Sequence, residues 1–564
     1  MSVRPADFPP PFDPAEFVAE PSDPPDERIE VGVLIVGGGP AGLSAAIRLN
    51  QLLEENPDMR ERLGEIPVAV VEKSRTPGAH LLSGAVVNPR AFRQLFPGMH
   101  SEDMPFRSRV EREGLYYLTS KRAVRLPAPP TMWNHGNFVA SISEIGAWLG
   151  ERAEEGGATL VPETAARKLL VSGGRVVGIR TGDRGRGKSG EELPNFEPGS
   201  DITARVTILA EGTQGHLTGV ALDRFGLQSR PQVWALGVKE VWEVPRPLDR
   251  VIHTMGWPLR GAKKFREFGG SFIYPLGEEH VALGMVVGLD YTDATLSVHD
   301  LLQELKLHRF VRAILDGGKR VAWGAKTIPE GGFLALPDRF NFPGGMIAGD
   351  GAGLVNVPAL KGIHYAMRSG MLAAESALEA LAPGRTAWEP GALESYDQAL
   401  KESYVWKDLE RVRNMRPAFH HGFTRGAMLA GVALNTLGKL PRKDLKLEAD
   451  AQVPVFVGDH PAPAPDGQVT FDKLSSVYLS GNKTRDDAPS HLRVDRKVRR
   501  EVAETWVHMC PAQVYELGGA ASPAGNVVDV EVTASNCVQC GAITAKGGRL
   551  TPPEGGDGPE YRLM

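Results

Sequence analysis

Residues 31–42 read VGVLIVGGGPAG, so a short apolar run rich in β-branched residues leads directly into a glycine loop. Val31 to Val36 has the profile of a buried parallel strand. Gly37 permits a tight turn, Gly39 lets the backbone approach a pyrophosphate, and Gly42 lets a following helix pack on the strand. The N-terminus of that helix would offer free N–H groups and a partial positive charge to phosphates. Taken alone, three glycines in a turn also suit an ordinary tight loop, but their place between a strand and a helix is typical of a Rossmann-like unit that binds a dinucleotide.

A carboxylate follows the next predicted strand. Pro67 to Val71 is an apolar run that ends in Glu72, where a carboxylate can accept hydrogen bonds from an adenosine ribose. The charged stretch Asn50 to Ile66 follows the predicted helix Leu43 to Leu49 and makes the spacing longer than the usual figure of about 20 residues. Alone, Glu72 is equally well interpreted as a solvated charge at a strand end, but together with the glycine loop it favours a dinucleotide site.

A later strand end distinguishes FAD from a nicotinamide. Gly344 to Ala348 is predicted as a strand, Gly349-Asp350-Gly351 follows, and Lys361 to Leu381 is predicted as a helix. In many flavoproteins a carboxylate at the position of Asp350 binds the ribityl chain. The sequence contains no second strand–GxGxxG–helix unit, so no separate NADPH domain is expected and the electrons would come from another source. FAD is therefore the predicted cofactor.

Length and composition limit the possible classes of protein. The chain has 564 residues, 42% of them hydrophobic, which suggests two or three structural units rather than one core. A formal charge of -5 gives no global field for nucleic acid or an anionic membrane surface. No apolar run approaches the roughly 20 residues that span a bilayer. Residues 1–29 resemble neither a secretory signal nor a transit peptide and are predicted to form a mobile or loosely docked arm.

The remaining chain divides by composition. Residues from about 232 to 290 alternate apolar and polar positions between glycines, as an antiparallel sheet does. Gly182 to Ser200 is Gly-rich and charged and is predicted as a surface loop, and Pro461 to Gly467 marks a boundary before a cysteine-bearing tail. All three cysteines lie after residue 509, which argues against structural disulfides and for a reducing compartment.

Longer segments resemble the electron-transfer flavoprotein:ubiquinone oxidoreductase family. The resemblance covers nearly everything from Val31 to Met564 in family order, and its motifs are very specific. They are GAHLLSG (78–84), NHGN (134–137), AEG (210–212), KEVWE (239–243), HTMGWPL (253–259), GGSF (269–272), EGGF (330–333), NVP (356–358), KGIH (361–364), VWK (405–407), RNMRP (413–417) and LSSV (474–477).

The resemblance implies an α/β (α+β multidomain) protein with three parts. These would be a Rossmann-like FAD-binding domain of the glutathione-reductase type, a β-rich quinone-binding domain and a C-terminal ferredoxin-like iron–sulfur domain. The implied boundaries are 30–104, 141–231 and 322–440 for FAD, 105–140 and 232–321 for the quinone, and 441–564 for the cluster.

The resemblance also assigns site residues. Gly37, Gly39, Gly42 and Glu72 would hold the adenosine end of FAD and Asp350 its ribityl end, with Ser83-Gly84 near the isoalloxazine ring. Gly269 and Gly270 would lie at the quinone pocket, although without the resemblance a β-turn between strands is the better interpretation of this pair. No side chain is assigned a catalytic role.

The cysteines match the family except at one position. Family members hold one 4Fe-4S cluster with a Cys in a Cys-Pro-Ala segment and three in a C-x-x-C-x-x-C run. Cys510, Cys537 and Cys540 supply three ligands, but Ile543 stands at the fourth and cannot bind iron. A 3Fe-4S cluster is the preferred expectation, ahead of 4Fe-4S with a non-cysteine ligand or loss of the cluster. Two other interpretations remain. His508 and the three cysteines could together bind zinc, or the three cysteines could simply be small buried residues without a metal.

The family implies both partners and location. Electrons would come from a soluble electron-transfer flavoprotein and pass to a membrane quinone, with monotopic contact at the cytoplasmic face of a bacterial inner membrane. The apolar run Ala427 to Leu434, followed by Leu437, Leu440, Arg442, Lys443 and Lys446, suits an interfacial segment as well as it suits a buried helix with a basic end. The competing functions are a related flavin-dependent reductase or monooxygenase, and a docking subunit that has lost its cluster.

Overall fold

The computed structural model describes residues 2–22, 24, 27–261, 264–385, 389, 391–419, 426, 428–429, 431–433, 436, 440, 444–519 and 526–564. Its described α-helices are Pro40–Glu54, Pro57–Arg62, Arg90–Leu95, Ile142–Glu155, His216–Arg224, Val298–Leu307, Arg309–Leu315, Ile363–Ala380, Glu394–Glu402, Tyr404–Arg411, Met415–Ala418, Lys473–Tyr478, Arg500–Met509 and Ala542–Ala545. Short 3-10 helices occur at Pro5–Asp7, Pro14–Phe17, Pro130–Met132, Gly332–Ala335, Gly349–Ala352, Asp450–Gln452 and Ala534–Asn536.

The larger sheet has a parallel core. The strand order is Val18–Ala19, Ala166–Ser172, Arg175–Thr181, Asp201–Leu209, Ile29–Val36, Val68–Val71 and Thr159–Val161, with Gly345–Ile347 also paired to Asp201–Leu209 and Asn341–Phe342 paired to Gly345–Ile347. The strands from Thr159–Val161 through Ile29–Val36 to Gly345–Ile347 run parallel. Their carboxyl ends therefore meet at one edge, where α/β sheets bind ligands.

The first strand is buried on both faces. Val33, Leu34 and Ile35 are 0% exposed, as expected for a strand covered by helices on both sides. Helix Pro40–Glu54 follows the glycine loop, and Pro40 at its first position suits a helix start. A Cβ on Gly370 of helix Ile363–Ala380 would lie 2.0 Å from the Ala41 oxygen, so these two helices cross in close backbone contact.

The second sheet is almost entirely antiparallel, as the alternation in residues 232–290 predicts. Its strand order is Lys319–Pro329, Trp234–Glu243, His280–Gly288, Gly269–Pro275, Val251–Gly256, Glu113–Leu118 and Ala123–Leu126. Only the pair Val251–Gly256 and Glu113–Leu118 is parallel within it. A small separate sheet joins Val86–Val87, Phe138–Val139 and Ser108–Arg109.

The C-terminal unit contains all three cysteines. Its short strands pair as Leu492–Arg493 with Arg549–Leu550, and as Lys497–Arg499 with Val527–Val532 and Tyr515–Leu517. Trp506 of helix Arg500–Met509 is fully buried, and its indole N–H donates to the Lys546 carbonyl at 2.7 Å. The unit packs on the second sheet, because buried residues of both belong to one apolar cluster.

Two expectations from composition do not match the structure. The N-terminal arm is docked rather than loose: Phe17 is 2% exposed, packs edge-on against His216, and leads into strand Val18–Ala19 of the larger sheet. Residues 182–200 are not only a loop, because Arg184–Arg186 and Glu192–Glu197 form a hairpin. Its first strand is anchored to the C-terminal unit where the Gly185 N–H donates to Glu554 at 3.0 Å.

Among the helices in the described ranges, none is both long enough and apolar enough to cross a membrane.

Candidate functional site

A cavity of about 870 Å³ begins at the carboxyl edge of the parallel strands and reaches the second sheet. It is lined at one end by Gly37, Glu72 and Asp350, which follow three different strands. Gly269 and Gly270 of the second sheet line the same cavity. Its volume lies in the range of roughly 300–1,000 Å³ that is usual for small-molecule and cofactor sites. The fold therefore gathers distant parts of the chain around one space.

The three glycines of the loop differ in their surroundings. Gly37 has φ +110°, and a Cβ there would lie 2.4 Å from the Ala210 oxygen. A Cβ on Gly42 would lie 2.0 Å from the Gly37 oxygen. Gly39 lines the cavity, and within the described ranges a Cβ there would meet only Leu81 Cδ2, at 3.7 Å. Packing requires Gly37 and Gly42, whereas Gly39 keeps the cavity side of the loop clear, as a pyrophosphate needs.

Glu72 is fixed at the cavity wall by two backbone donors. Its Oε2 accepts from the Gly38 N–H at 2.7 Å, and its Oε1 accepts from the Ser74 N–H at 2.8 Å. A carboxylate offers about four lone-pair sites, so it can still accept from ribose hydroxyls. The hydrogen bond from Gly38 to Glu72 thus joins the glycine loop directly to the end of strand Val68–Val71.

Asp350 lies in the 3-10 helix Gly349–Ala352 and faces the same cavity. Burial raises the pKa of Asp350 to about 6, because a carboxylate loses hydration there. A buried carboxylate is stabilised by hydrogen-bond donors, and the hydroxyls of a ribityl chain are such donors.

The segment that contains Gly84 is held by a lysine of the second sheet. The Lys239 ammonium donates to the Ser83 carbonyl at 2.8 Å, and burial lowers the pKa of Lys239 to about 7. A Cβ on Gly84 would lie 2.8 Å from Tyr274 Cε2. With the glycine loop, Glu72 and Asp350, this segment fits the phosphate, ribose, ribityl and ring parts of FAD. The sequence analysis included Lys239 only as part of the KEVWE motif and assigned it no role, although a lysine within an apolar strand was a visible signal.

Gly269 and Gly270 lie at the start of strand Gly269–Pro275, so the β-turn interpretation is wrong. They pair with Val287 and Val286 of the neighbouring strand. A Cβ on Gly269 would lie 2.0 Å from the Val286 oxygen, and one on Gly270 2.3 Å from the Thr254 oxygen. Glycine is therefore needed for strand packing, and the exposed backbone forms a flat part of the cavity wall.

Two hydrogen-bonded side-chain pairs lie on the same strands. His253 Nε2 and the Tyr274 hydroxyl are 2.7 Å apart, and the Thr254 and Ser271 hydroxyls are 2.6 Å apart. All four residues line the cavity. Burial lowers the pKa of His253 to about 3, so its imidazole is neutral at physiological pH. Sequence reasoning missed these pairs because each joins residues from different strands.

The C-terminal unit brings the cysteines into one apolar region. Backbone N–H groups point at two of the sulfurs, Val514 at Cys510 and Gln539 at Cys537, each at 3.4 Å. Burial is the main cause that raises the pKa of Cys537, and the neighbouring thiols raise it further. The same two causes raise the pKa of Cys540 to about 12. Such thiols give up their protons to a metal rather than to water, and N–H···S bonds are typical of iron–sulfur ligands. The surroundings of the three cysteines therefore suit ligands of an iron–sulfur cluster.

Ile543 lacks any donor atom at the position where a fourth ligand is expected. It is 5% exposed and belongs to the same apolar cluster as Cys510 and Cys537. Its Cγ1 would be 2.5 Å from a Cβ on Gly548, so its side chain is closely packed. The described residues fit a cluster held by three thiolates, and Ile543 cannot serve as a fourth ligand.

The structure gives His508 a different partner from the one that a zinc site needs. Its Nε2 lies 3.3 Å from Glu504 Oε2 on the same helix. Within the described ranges, no group of three or more His, Cys, Asp or Glu side chains converges on a point where a single metal ion would bind. Cysteines that hold an iron–sulfur cluster bind different irons and need not converge in this way.

Exposed apolar side chains occur on segments next to the cavity. Met428 and Val432 are 66% and 41% exposed, while Gly431 between them lines the cavity. Trp133 is 61% exposed, beside the cavity-lining Met132. Further exposed apolar residues are Tyr117, Val124, Leu360 and Leu440, and Lys446 is also exposed. Of the predicted interfacial segment, Ala427, Ala430, Leu434, Leu437, Arg442 and Lys443 lie outside the described residues.

Comparison with protein families identifies two matching regions. Residues 234–328 match the family described as ETF-QO, ubiquinone-binding. Residues 467–562 match the family described as electron transfer flavoprotein-ubiquinone oxidoreductase, 4Fe-4S. The first region contains Gly269 and Gly270, and the second contains the three cysteines.

Curated relatives match almost the full chain. The mitochondrial electron transfer flavoprotein-ubiquinone oxidoreductase of Oryza sativa subsp. japonica is 39% identical, over 95% of this chain and 94% of the relative. The human protein of the same name is 39% identical over 95% and 89%. The Arabidopsis thaliana protein is 40% identical over 95% and 85%.

Solved structures show the fold alone. A geranylgeranyl bacteriochlorophyll reductase-like protein from Thermoplasma acidophilum superposes with a TM-score of 0.53 at 19% identity, covering 74% of this chain and 93% of that one. A flavin-dependent brominase gives 0.50 at 16% identity, covering 72% and 93%. The larger sheet and its neighbour thus have the architecture of flavoproteins.

Proposed function

The chain belongs to the electron transfer flavoprotein-ubiquinone oxidoreductase family, and from this premise we propose that it takes electrons from a reduced electron-transfer flavoprotein and delivers them to a membrane quinone. It is an oxidoreductase. One observation carries the proposal: a single cavity joins the glycine loop and Asp350 to the backbone of Gly269 and Gly270. A cofactor and a second flat ring can therefore share one continuous space.

The chain's own residues bind and orient in this proposal. Gly39 admits the pyrophosphate of FAD, Glu72 accepts from the ribose, and Asp350 accepts from the ribityl hydroxyls. FAD, when bound, supplies the electron chemistry. Gly84 packs against Tyr274 in the cavity wall where the isoalloxazine ring would bind, and Gly269 with Gly270 presents backbone to a quinone. No side chain is assigned as a catalytic acid or base.

The domain division follows the two sheets. Strand Lys319–Pro329 belongs to the second sheet, so the quinone-binding part extends beyond residue 321 to residue 329. With that adjustment we propose FAD-binding segments 30–104, 141–231 and 330–440, quinone-binding segments 105–140 and 232–329, and a cluster-binding unit 441–564.

For the cluster, we propose a three-iron centre held by Cys510, Cys537 and Cys540. Buried thiols with raised pKa values and directed N–H groups support binding, and the aliphatic Ile543 supports a missing fourth ligand. A four-iron centre with a non-cysteine ligand and complete loss of the cluster are the alternatives.

For the location, we propose monotopic contact with the cytoplasmic face of a bacterial inner membrane. The exposed Met428, Val432 and Trp133 lie beside residues that line the cavity, so a lipid-soluble quinone would enter from an apolar surface. None of the three cysteines forms a disulfide, which favours a reducing compartment.

The function is tested by anaerobic turnover with two alternative donors. Reduced electron-transfer flavoprotein should be reoxidised when the protein and a short-chain ubiquinone are both present. NADPH should not be oxidised under the same conditions, since no second dinucleotide unit occurs in the sequence. NADPH-dependent turnover without the flavoprotein would instead establish a reductase or monooxygenase.

The centre is tested by low-temperature EPR with iron and zinc analysis on anaerobically purified protein. An isotropic signal in the oxidised protein that vanishes on reduction would establish three irons. A signal that appears only after dithionite reduction would establish four irons with a non-cysteine ligand. Absence of iron together with EPR silence would establish a lost cluster.

A further inference from the structure

Two lysines from two other parts of the fold hold Gln539, one of the two residues between Cys537 and Cys540. The Lys73 ammonium donates to the Gln539 side-chain oxygen at 2.6 Å. The Lys326 ammonium donates to the Gln539 backbone carbonyl at 3.1 Å. Gln539 is 2% exposed and has φ +53°, in the left-handed region that few non-glycine residues adopt. Its conformation is therefore fixed from outside the C-terminal unit.

The neighbouring contacts reinforce this position. The Cys540 carbonyl accepts from both the backbone N–H and the hydroxyl of Thr327, each at 2.9 Å. The Gln539 side-chain amide donates to the Asp557 carbonyl at 2.9 Å. Lys73 directly follows Glu72 at the edge of the larger sheet, whereas Lys326 lies in strand Lys319–Pro329 of the second sheet. The cysteine loop is thus aligned against both sheets at once.

The lysines also place positive charge beside the sulfurs. Lys73 interacts electrostatically with Cys537, and Lys326 interacts with both Cys540 and Cys537. Carboxylates also act on the two lysines: Glu72 and Glu211 interact with Lys73 more strongly than Cys537 does, and Glu72 interacts with Lys326. Among the groups of opposite charge, Cys540 has the largest influence on Lys326, so the charge of Lys326 in particular acts on the sulfurs and on anything they bind.

The same residues form the wall between the cysteines and the cofactor cavity. Lys73, Lys326 and Gln539 all line the cavity that contains Gly39 and Asp350. The contact network therefore lies where two redox sites would face each other.

We propose that Lys73 and Lys326 are positioning residues that raise the reduction potential of the centre held by Cys510, Cys537 and Cys540. The inference rests on the proposed function, since it requires that centre. When the oxidised centre takes one electron from the reduced donor flavoprotein, its negative charge grows by one unit. A fixed positive charge nearby stabilises the reduced form, so removal of either lysine lowers the potential.

The test is an EPR-monitored redox titration of Lys73→Met and Lys326→Met, with iron and flavin content measured on the same samples. Methionine keeps the length and apolar stem of lysine without its charge. We expect each variant to retain iron and to shift the ratio of reduced to oxidised centre at least tenfold at a given potential, which is about 59 mV for one electron. Lys326→Arg, which keeps the charge, should remain close to the wild type.

Lys546→Met is the matched control. Lys546 is a buried lysine of the same C-terminal unit whose ammonium faces Asp450 and Asp290 rather than the cysteines. Equal shifts in this control and in Lys326→Met would overturn the proposal, as would unchanged potentials in iron-replete Lys73→Met and Lys326→Met. Loss of iron in both Lys326→Met and Lys326→Arg would also overturn it, since it would show a structural role alone. An iron-free wild type would overturn the proposed centre itself, which is a different result.

Discussion

Lys306 Nζ lies 2.8 Å from Glu240 Oε2, and neither side chain has any solvent exposure. Arg320 Nη1 lies 3.3 Å from Glu240 Oε1 and donates to the Ser476 hydroxyl at 2.7 Å. The three charged residues come from two strands and a helix of the quinone-binding part, and Ser476 comes from the C-terminal unit. Arg320 therefore connects the buried Glu240 carboxylate to the C-terminal unit.

Lys306→Met should strongly destabilise the protein. Burial alone would raise the pKa of Glu240, but Lys306 and Arg320 lower it to about 2. Removing one partner of a buried pair costs about 3–5 kcal/mol, measurable by chemical denaturation. Because the folded pKa lies below the unfolded value near ~4.3, this stability is present above that pH and is lost as pH falls towards 2. The variant should therefore lose stability less steeply with acid than the wild type.

The control is the exposed pair Arg112 and Asp249, whose side chains are 63% and 49% exposed. Arg112→Gln should change stability by less than about 1 kcal/mol. A loss as large as that of Lys306→Met would contradict the role of burial.

Gly39→Val and Gly42→Val should fail in different ways. Gly39 has space within the protein but borders the cavity, so its variant should fold and lose FAD. A side chain at position 42 would collide with the Gly37 oxygen, so the Gly42→Val variant should misfold. Circular dichroism and flavin absorbance on purified proteins separate the two outcomes. A Gly39→Val protein that retained full flavin would refute the assigned pyrophosphate approach.

The sequence predicts the strand ends well because their signals are local. Val31 to Val36 and the following glycines specify strand, turn and helix within a few residues. The structure adds two residues to the strand, and it adds three residues to the start of the helix and five to its end. The pairs His253–Tyr274 and Lys73–Gln539 were not predictable, since each joins residues brought together only by the tertiary fold. The hairpin at residues 184–197 was hidden by a glycine-rich, charged composition that also suits a loop.

Asp350→Asn should have opposite effects on stability and on cofactor content. In FAD-free protein the folded pKa of about 6 lies above the unfolded value near ~3.9. Ionisation of Asp350 therefore opposes folding, and stability decreases as pH rises from about 4 to 6. At pH 7 the FAD-free variant should be more stable by about 3 kcal/mol, with little difference near pH 4, yet it should bind less FAD.

Thermal unfolding at both pH values and flavin titration check this. Asp223→Asn, at an exposed carboxylate on helix His216–Arg224, is the control and should change neither property. Undiminished flavin affinity in Asp350→Asn would count against the ribityl assignment.

The exposed apolar residues should govern binding to lipid. Met428→Glu combined with Val432→Glu places charge on side chains that are 66% and 41% exposed, so folding should be preserved. We expect at least tenfold weaker binding to phosphatidylcholine vesicles in a sedimentation assay, since inserting charge into lipid is costly. Tyr478→Glu, at an 85% exposed residue of the C-terminal unit, should bind normally. Equal binding by all three proteins would exclude this surface as the membrane contact.

Ile543→Cys should convert a three-thiolate site into a four-thiolate site. Ile543 is buried in the cluster that contains Cys510 and Cys537, and a cysteine there would complete the usual ligand set. Iron per chain should rise from about three towards four, and the isotropic EPR signal of the oxidised protein should disappear. The smaller side chain also leaves a cavity, so the folded state should lose about 1–2 kcal/mol.

Ile543→Val and Ile543→Ala separate ligation from packing. Both remove volume next to Val494 and Gly548 without adding a sulfur, so they should lower the unfolding temperature while iron content and spectrum stay as in the wild type. Had volume alone limited the cluster, Ile543→Ala would gain the fourth iron as readily as Ile543→Cys. An unchanged iron count in Ile543→Cys, with the same spectrum, would show that this position does not face the centre. The three-iron proposal would then need another explanation for the missing ligand.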